Sequence, residues 1–251
     1  MNDDLGHRVD VGRPVHRVVS LVPSLTEAIA LTRPGALVGA TDWCTHPADL
    51  DVARVRGTKN PDRAAIIALT PNLVIANREE NRELDITRLR DAGVPVWVTQ
   101  IETVDEAFAS MRRMFTEALG WDEPAWLGEA EAVWAEPPPL DGRRVAVPIW
   151  RDPWMVVGAR TFTGDLLSRL GLVNAHGDSA DRYPHVELDE IDAELVLLPD
   201  EPYVFTADDG PEAFPGTRTL LVSGRALTWY GPSLVSARAE LEQLISATRR
   251  P

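Results

Sequence analysis

The fold is decided by Arg17-Val18-Val19-Ser20-Leu21-Val22-Pro23-Ser24-Leu25-Thr26-Glu27. Its first half, Val18 to Val22, is a short apolar run rich in β-branched residues that ends at a proline, which predicts a buried strand. Ser24 and Glu27 have the spacing of a capping box, so we expect a helix to begin there. A second strand is predicted directly after this helix, over residues 36–40. Strand, helix and strand in this order predict a parallel sheet, because a parallel neighbour needs a crossover of roughly a dozen residues.

The same order of elements continues along the chain and restarts after Pro137-Pro138-Pro139. Further strands are predicted over 73–76, 94–98, 144–149, 195–198 and 219–222, and helices over 62–69, 84–92, 104–119, 124–135, 163–170 and 235–247. The fold class is therefore α/β, with two Rossmann-like lobes that have parallel sheets and are joined by a bridging helix. The predicted boundaries are a flexible head over 1–16, a first lobe over 17–121, a bridging helix and proline linker over 122–139, and a second lobe over 140–251.

Composition narrows the classes of function. The chain has 251 residues, with 39 acidic and 25 basic side chains and a formal net charge of -14, so its field repels phosphate backbones and anionic lipid surfaces. No stretch approaches the ~20 apolar residues of a membrane span. The single cysteine cannot form an intramolecular disulfide, and the first 17 residues contain no apolar core of an export signal. These features predict a cytoplasmic protein that binds neither nucleic acid nor membranes.

Several segments together carry a resemblance to a known family. They are the run from Arg17 to Glu27, Leu37-Val38-Gly39, Gly57-Thr58, the run Ala68-Leu69-Thr70-Pro71-Asn72-Leu73-Val74-Ile75-Ala76, and Gly93-Val94-Pro95-Val96. Their order and spacing resemble the helical-backbone metal-receptor type of substrate-binding protein, in particular the periplasmic cobalamin-binding proteins of ABC importers. The match is continuous from Arg17 to about Val104 and weaker from Arg144 to Ala247.

The resemblance implies a class III substrate-binding protein fold with a corrinoid, haem, an iron-siderophore or a metal ion in the cleft between the lobes. By analogy, the loops at Trp43, Arg78 and Trp150 and the segment around Tyr183 match positions that line a corrinoid cleft. It also implies an ABC permease as a partner. Because family members are usually exported, the absence of an export signal argues against that partner.

Candidate ligand-binding residues can also be placed without the resemblance. Ligands of open parallel sheets bind outside the carboxyl ends of the strands, so the informative residues are those that directly follow each strand. With Tyr183 they form the following set: Ser24, Trp43, Arg78, Trp150, Arg151, Trp154, Tyr183, Trp229 and Tyr230. We expect the four tryptophans and two arginines of this set to face one cleft and to stack on a conjugated ligand. The alternatives are that the tryptophans serve packing and that Arg151 only pairs with Asp152 on the surface.

Two other classes of site remain open in the sequence. A metal ion could be bound if Asp42, Cys44, His46 and His185 converged, although paired-cysteine and helical two-histidine motifs are missing. An enzyme or tailoring protein could use the same cleft, but no catalytic residue can be named. We predict that Cys44 is not catalytic, because the neighbouring Asp42 would raise its pKa. The leading hypothesis is a cytosolic binding protein for a corrinoid such as cobalamin, followed by haem or a siderophore.

Overall fold

The computed structural model describes residues 1–138 and 141–248, which form two compact units. Unit 1 comprises Met1–Ile101, Asp105–Gly128 and Tyr230–Pro232, and the other residues form unit 2. The boundary predicted at residues 139 and 140 and the last residues of the predicted second lobe, 249–251, lie outside the described residues. None of the helices in the described ranges combines the length and apolar character needed to cross a membrane.

Unit 1 is built on a five-stranded parallel sheet. In chain order the strands of unit 1 are β1 (Val18–Ser20), β2 (Leu37–Ala40), β3 (Ala53–Arg54), β4 (Arg56–Gly57), β5 (Asn60–Pro61), β6 (Leu73–Asn77) and β7 (Val96–Thr99). β4 and β5 form a separate short antiparallel pair outside the five-stranded sheet. The order across the sheet is β3-β2-β1-β6-β7. Every residue of β1, β6 and β7 is buried, as expected for a parallel sheet covered on both faces.

Three helices lie between these strands along the chain: α1 (Pro23–Thr32), α2 (Arg63–Ala68) and α3 (Glu83–Asp91). Two more, α4 (Val104–Arg113) and α5 (Ala125–Trp134), follow β7. The last turns before Gly120 are a π-helix over Met114–Leu119 rather than the continuous α-helix expected from the sequence. The chain passes from unit 1 to unit 2 within α5, after Gly128.

The start of α1 corrects the capping prediction. Val22 occupies the N-cap position without a side-chain bond, and Pro23 is the first helical residue. Proline is well suited to that position because its fixed φ matches the helix and its missing N–H would be unpaired there. Ser24 therefore lies within the first turn instead of capping it.

The first sixteen residues, which the sequence predicts to be a flexible head, contact the edge strand and α3 of unit 1 through Asp3 and Asp4. Asp4 donates its backbone N–H to the carbonyl of Val98 on the edge strand β7, at 3.2 Å. The fully buried carboxylate of Asp3 pairs with Arg90 of α3 at 2.7 Å and accepts from the backbone N–H of His7 at 2.8 Å. Because the segment covers an otherwise open sheet edge with hydrogen bonds, it is part of the fold.

Unit 2 has a four-stranded parallel sheet in the order β11-β8-β12-β13 and a two-stranded antiparallel pair, β9 and β10. The strands are β8 (Arg144–Ala146), β9 (Pro148–Trp150), β10 (Met155–Val156), β11 (Val173–Asn174), β12 (Leu195–Pro199) and β13 (Arg218–Val222), and the helices are α6 (Phe162–Arg169), α7 (Gly224–Thr228) and α8 (Leu234–Ser246). The α/β class with parallel sheets is thus confirmed. The single strand predicted over 144–149 is instead divided into β8 and β9, and Leu188–Glu190 forms one 3-10 turn.

Arg238 of α8 fixes the chain that follows α5. Its guanidinium donates to the backbone carbonyls of Val133, Glu136 and Pro137 at 2.9 to 3.0 Å and lies 5.9 Å from the centre of the Trp134 ring. A buried guanidinium needs such acceptors, because burial of an unpaired charge is costly. The polar contacts of one side chain therefore hold this turn in place.

Cys44 lies in the core of unit 1. Its Sγ is 3.0 Å from the hydroxyl of Thr26 and 3.1 Å from that of Thr41, and the side chain is fully buried. Burial raises the pKa of the thiol above its ordinary value. The direction agrees with the sequence prediction, but the cause is desolvation and not the charge of Asp42.

We expect Asp3→Ala to lower the free energy of unfolding by about 3 kcal/mol, since it leaves Arg90 without its buried partner. Urea unfolding followed by tryptophan fluorescence measures the change. Asp10→Ala is the matched control, because Asp10 pairs with Arg8 in an exposed contact and its loss should change stability by less than about 0.5 kcal/mol. Equal effects of the two variants would show that the first residues are not part of the fold.

We expect Cys44 to react slowly with a thiol reagent near neutral pH in the folded protein and rapidly in denaturant, because the buried thiol is rarely ionised. A time course with a chromogenic thiol reagent, with and without 6 M urea, measures both rates. Labelling of the native protein as fast as that of the denatured protein would contradict the burial described above.

Candidate functional site

The strand order in the sheet of unit 1 changes direction at β1. The chain places β2 on one side of β1 and β6 on the other, so the carboxyl ends of β1 and β6 flank a topological switch point. Such points are where open α/β sheets leave a crevice for ligands. The loop after β6, over residues 78–82, is therefore a candidate ligand-contacting segment of unit 1.

Asn77, the last residue of β6, shapes this loop. Its Oδ1 accepts the backbone N–H groups of Glu79 and Glu80 at 2.8 and 3.2 Å, while its Nδ2 donates to the hydroxyl of Thr99 at 3.1 Å. Arg78 is thereby turned outward, where it is exposed and donates to Oε1 of Gln100 at 3.0 Å. The sequence analysis missed Asn77, although a polar residue that closes an apolar strand was a visible signal for it.

Burial raises the pKa of the carboxyl of Glu80, the charge of Glu79 raises it further, and Lys59 lowers it. The Nζ of Lys59 donates to the backbone carbonyl of Glu79 and so lies beside this loop. The loop after β6 therefore carries a guanidinium and a carboxyl that is more readily protonated than usual.

Trp43 follows β2 and is the most exposed large apolar side chain of the described residues, at 67% of its surface. Its indole Nε1 lies against Gly57 of β4, where an added Cβ would be 3.3 Å away. The glycine permits this close approach. Trp43 is thus packed against Gly57 at its Nε1 and is otherwise largely exposed to solvent.

Ser24 and Tyr230, both predicted to contact ligand, are buried. Gly231 approaches Ser24 so closely that an added Cβ would lie 3.0 Å from the Ser24 carbonyl oxygen. The loop 230–232 therefore packs directly on the first turn of α1. The structure gives these two residues packing environments, and a role for them in ligand binding stays a prediction.

A cavity of about 740 Å³ lies within unit 1. Of the predicted site residues, Arg78 lines it, and its other lining residues are Leu5, His7, Asn77, Asn81, Glu83, Ile86, Thr87, Arg90, Asp91 and Val98. Its walls combine apolar side chains with charges of both signs.

In unit 2 the switch point lies between β8 and β12, because β11 is on one side of β8 and β12 on the other. Trp150 and Tyr203 each stand four residues beyond the end of one of these strands. Their rings meet edge to face with centroids 5.7 Å apart and planes at 78°, and Trp150 remains 46% exposed. Tyr203 is not among the ligand contacts that the sequence predicts.

Trp154 and Arg151 are held by other side chains of unit 2. The Trp154 ring is buried against Phe205, to which it is nearly parallel at 6.0 Å, and against Phe214 at 5.3 Å. The guanidinium of Arg151 lies 5.4 Å from the Trp154 ring centre and pairs with Asp209 and Glu212. These long-range partners dominate over the predicted Asp152 contact, whose oxygen is 3.7 Å from Nε.

The remaining predicted residues of unit 2 have mixed environments. Trp229 is buried, whereas Tyr183 is half-buried in the segment that leads to the single bridge between His185 and Met155 of β10. Ring exposure thus singles out Trp43 in unit 1 and Trp150 in unit 2, with Tyr183 next.

The candidate metal ligands do not form a cluster. Within residues 1–138 and 141–248, no three His, Cys, Asp or Glu side chains are grouped so that they could hold a metal ion. Cys44 points into the core between two threonines, which removes it from Asp42 and His46 in the same loop. His185 belongs to unit 2 and is exposed.

Curated proteins similar in sequence are vitamin B12-binding proteins. That of Pectobacterium atrosepticum is 25% identical over 190 residues, which cover 70% of this chain and 67% of that protein. That of Vibrio cholerae is 23% identical over 205 residues, which cover 78% of this chain and 71% of that protein. No family model matches the chain.

Solved structures show the same architecture. The periplasmic heme-binding protein RhuT from Roseiflexus sp. RS-1 has a TM-score of 0.77 at 20% identity and covers 92% of this chain and 98% of its own. The periplasmic vitamin B12 binding protein BtuF of Vibrio cholerae has a TM-score of 0.74 at 19% identity, with 94% and 99% covered. The chain therefore has the class III periplasmic substrate-binding protein fold, and its sequence is similar to those of vitamin B12-binding proteins.

Proposed function

We propose that the chain is a small-molecule binding protein whose ligand is a corrinoid, with haem as the second candidate. The observation that carries this proposal is the presence of two exposed indoles: Trp43 lies three residues beyond β2 of the unit 1 sheet, and Trp150 ends β9, four residues beyond β8 of the unit 2 sheet. The similarity to vitamin B12-binding proteins supports a corrinoid, and the fold shared with heme-binding proteins supports the second candidate.

The side chains of these segments suit a large conjugated ligand with a polar rim. Each indole offers a flat apolar face, and ring contacts contribute about 1 kcal/mol beyond the area that they bury. Arg78 provides a donor that can bind an amide or phosphate oxygen. Micromolar affinity requires roughly 8 kcal/mol net of ordering costs, which several such contacts can supply without a metal bond.

The partner of the protein is a separate proposal. The resemblance to the substrate-binding proteins of ABC importers supports an ABC permease as partner, whereas the cytoplasmic location expected from the sequence opposes one. That location stays a prediction, and subcellular fractionation of the native cells decides between the two.

A second candidate function is chemistry on the bound molecule, and one observation favours it. Glu80 has a raised pKa and lies in the loop beside the switch point, where a protonated carboxyl could act as a general acid. Incubation of bound cyanocobalamin with the protein, followed by mass spectrometry, tests this function. A product formed by the wild type but not by Glu80→Gln would establish it.

We expect Trp43→Ala and Trp150→Ala each to weaken cyanocobalamin binding by about five- to tenfold, since each removes one stacking face. Isothermal titration calorimetry measures the affinity independently of tryptophan emission. The matched control is Trp126→Phe, because Trp126 is half-buried on α5 and its indole donates to Thr32. Wild-type protein that binds neither cyanocobalamin nor haemin would refute the proposed function.

We expect Glu80→Gln to raise the free energy of unfolding at pH 7 and to have little effect near pH 4. The raised pKa of Glu80 means that the folded state disfavours the ionised carboxylate. The ionised group therefore lowers the free energy of unfolding at neutral pH, and protonation at lower pH restores it. Urea unfolding across this pH range measures the change, with exposed Glu129→Gln as the control. A stabilisation that persists unchanged at pH 4 would contradict the assignment.

A further inference from the structure

Trp150 and Tyr203 form what we call the aromatic platform of unit 2. The two rings stand four residues beyond the neighbouring strands β8 and β12, where the exposed Trp150 and the half-buried Tyr203 meet edge to face. Behind Tyr203 lies Phe205, with ring centroids 4.7 Å apart. The platform is therefore supported by the buried cluster of Trp154, Phe205 and Phe214.

Polar contacts fix the orientation of Tyr203. Its hydroxyl donates to Oδ2 of Asp209 at 2.7 Å, and Arg151 pairs with the other oxygen of the same carboxylate. Arg151 also pairs with Glu212 at 2.5 Å. The guanidinium is thus bound between two carboxylates and holds them beside Tyr203, and the ligand contact expected of Arg151 from the sequence stays a prediction.

The charges beside the platform do not cancel. Asp152, Asp209 and Glu212 surround the single guanidinium of Arg151, which leaves a net charge of -2. All three carboxylates are partly exposed, so a nearby ligand would experience their field. The hydrogen bond from Arg151 and that from the backbone of Gly210 lower the pKa of Glu212, which keeps its charge in place at neutral pH.

We infer that the acidic frame of Asp152, Asp209 and Glu212 makes the aromatic platform select ligands with neutral amide rims over ligands with carboxylate rims. Asp209 has two parts in this arrangement: it positions Tyr203 and contributes charge. The inference rests on the proposed function and deepens it, because it names the ligand chemistry that unit 2 accepts. A corrinoid with intact amides satisfies it, whereas the two propionates of haem are repelled.

The sharpest probe is a pair of ligands that differ by one charge. Cyanocobalamin and its derivative with one peripheral amide hydrolysed to a carboxylate share the same ring and bulk. We expect calorimetry at 20 mM salt to give about fivefold weaker binding of the carboxylate, and 500 mM salt to remove most of that difference by screening. Equal affinities at both salt concentrations would overturn the inference while the proposed function stands.

Variants assign the selectivity to the frame. Glu212→Gln should reduce the preference for the amide ligand to about twofold, taken as the ratio of the two dissociation constants measured on that variant. Glu240→Gln, an exposed change on α8 outside the frame, should preserve the full preference. A preference that Glu212→Gln leaves unchanged would overturn the assignment.

Two substitutions at Asp209 distinguish its positioning of Tyr203 from the effect of its negative charge on the ligand. Asp209→Asn keeps an oxygen that can accept from the Tyr203 hydroxyl, so it should bind cyanocobalamin more tightly than Asp209→Ala does, while the preference for the amide ligand falls. Asp209→Ala removes the acceptor as well, and we expect at least threefold weaker binding of cyanocobalamin. If both variants bound cyanocobalamin like wild type, Asp209 would not position the platform. If wild-type protein bound haemin but not cyanocobalamin, this inference would be overturned while the second candidate of the proposed function stood.

Discussion

The parallel pairing of one fully buried strand is the constraint on which unit 1 depends. β1 has a parallel neighbour on each side, with Val18 opposite Leu37 of β2 and Leu73 of β6. Parallel neighbours cannot be joined by a tight turn, so the chain leaves the sheet through a crossover before each of them. Because successive crossovers lead to opposite sides of β1, a crevice is left at its carboxyl end. The same reasoning applies separately to β8 in unit 2.

Short polar contacts convert these strand ends into defined surfaces. Asn77 binds two backbone N–H groups of the loop after β6, and Asp200 after β12 accepts the backbone N–H of Gly224 at 2.6 Å. In unit 2 the carboxylate of Asp209 fixes a tyrosine and an arginine together. Loops that are ordered before a ligand arrives lose less conformational entropy on binding, which favours affinity.

Much of the secondary structure follows from local pattern. The strand predicted over 73–76 is β6 with one more residue, because a β-branched run bounded by a turn is a strong signal. The two-residue strands β3, β4, β5 and β11 were not predicted, since so few residues carry no periodicity. The capping box failed for a different reason: Pro23 starts the helix one residue before Ser24 and leaves the serine inside it.

The sequence by itself determined the α/β class, the parallel sheets and the position of the exposed tryptophans beyond strands of those sheets, because these depend on hydrophobic runs and chain direction. Only the tertiary structure decided which of the side chains in those segments remain exposed to solvent. Trp150 and Trp154 are alike in the sequence, yet one is exposed and the other packs against phenylalanines more than fifty residues away. Arg151 likewise finds its carboxylates 58 and 61 residues further along the chain. The physical reason is that burial and ion pairing are set by long-range contacts, which local residue patterns do not specify.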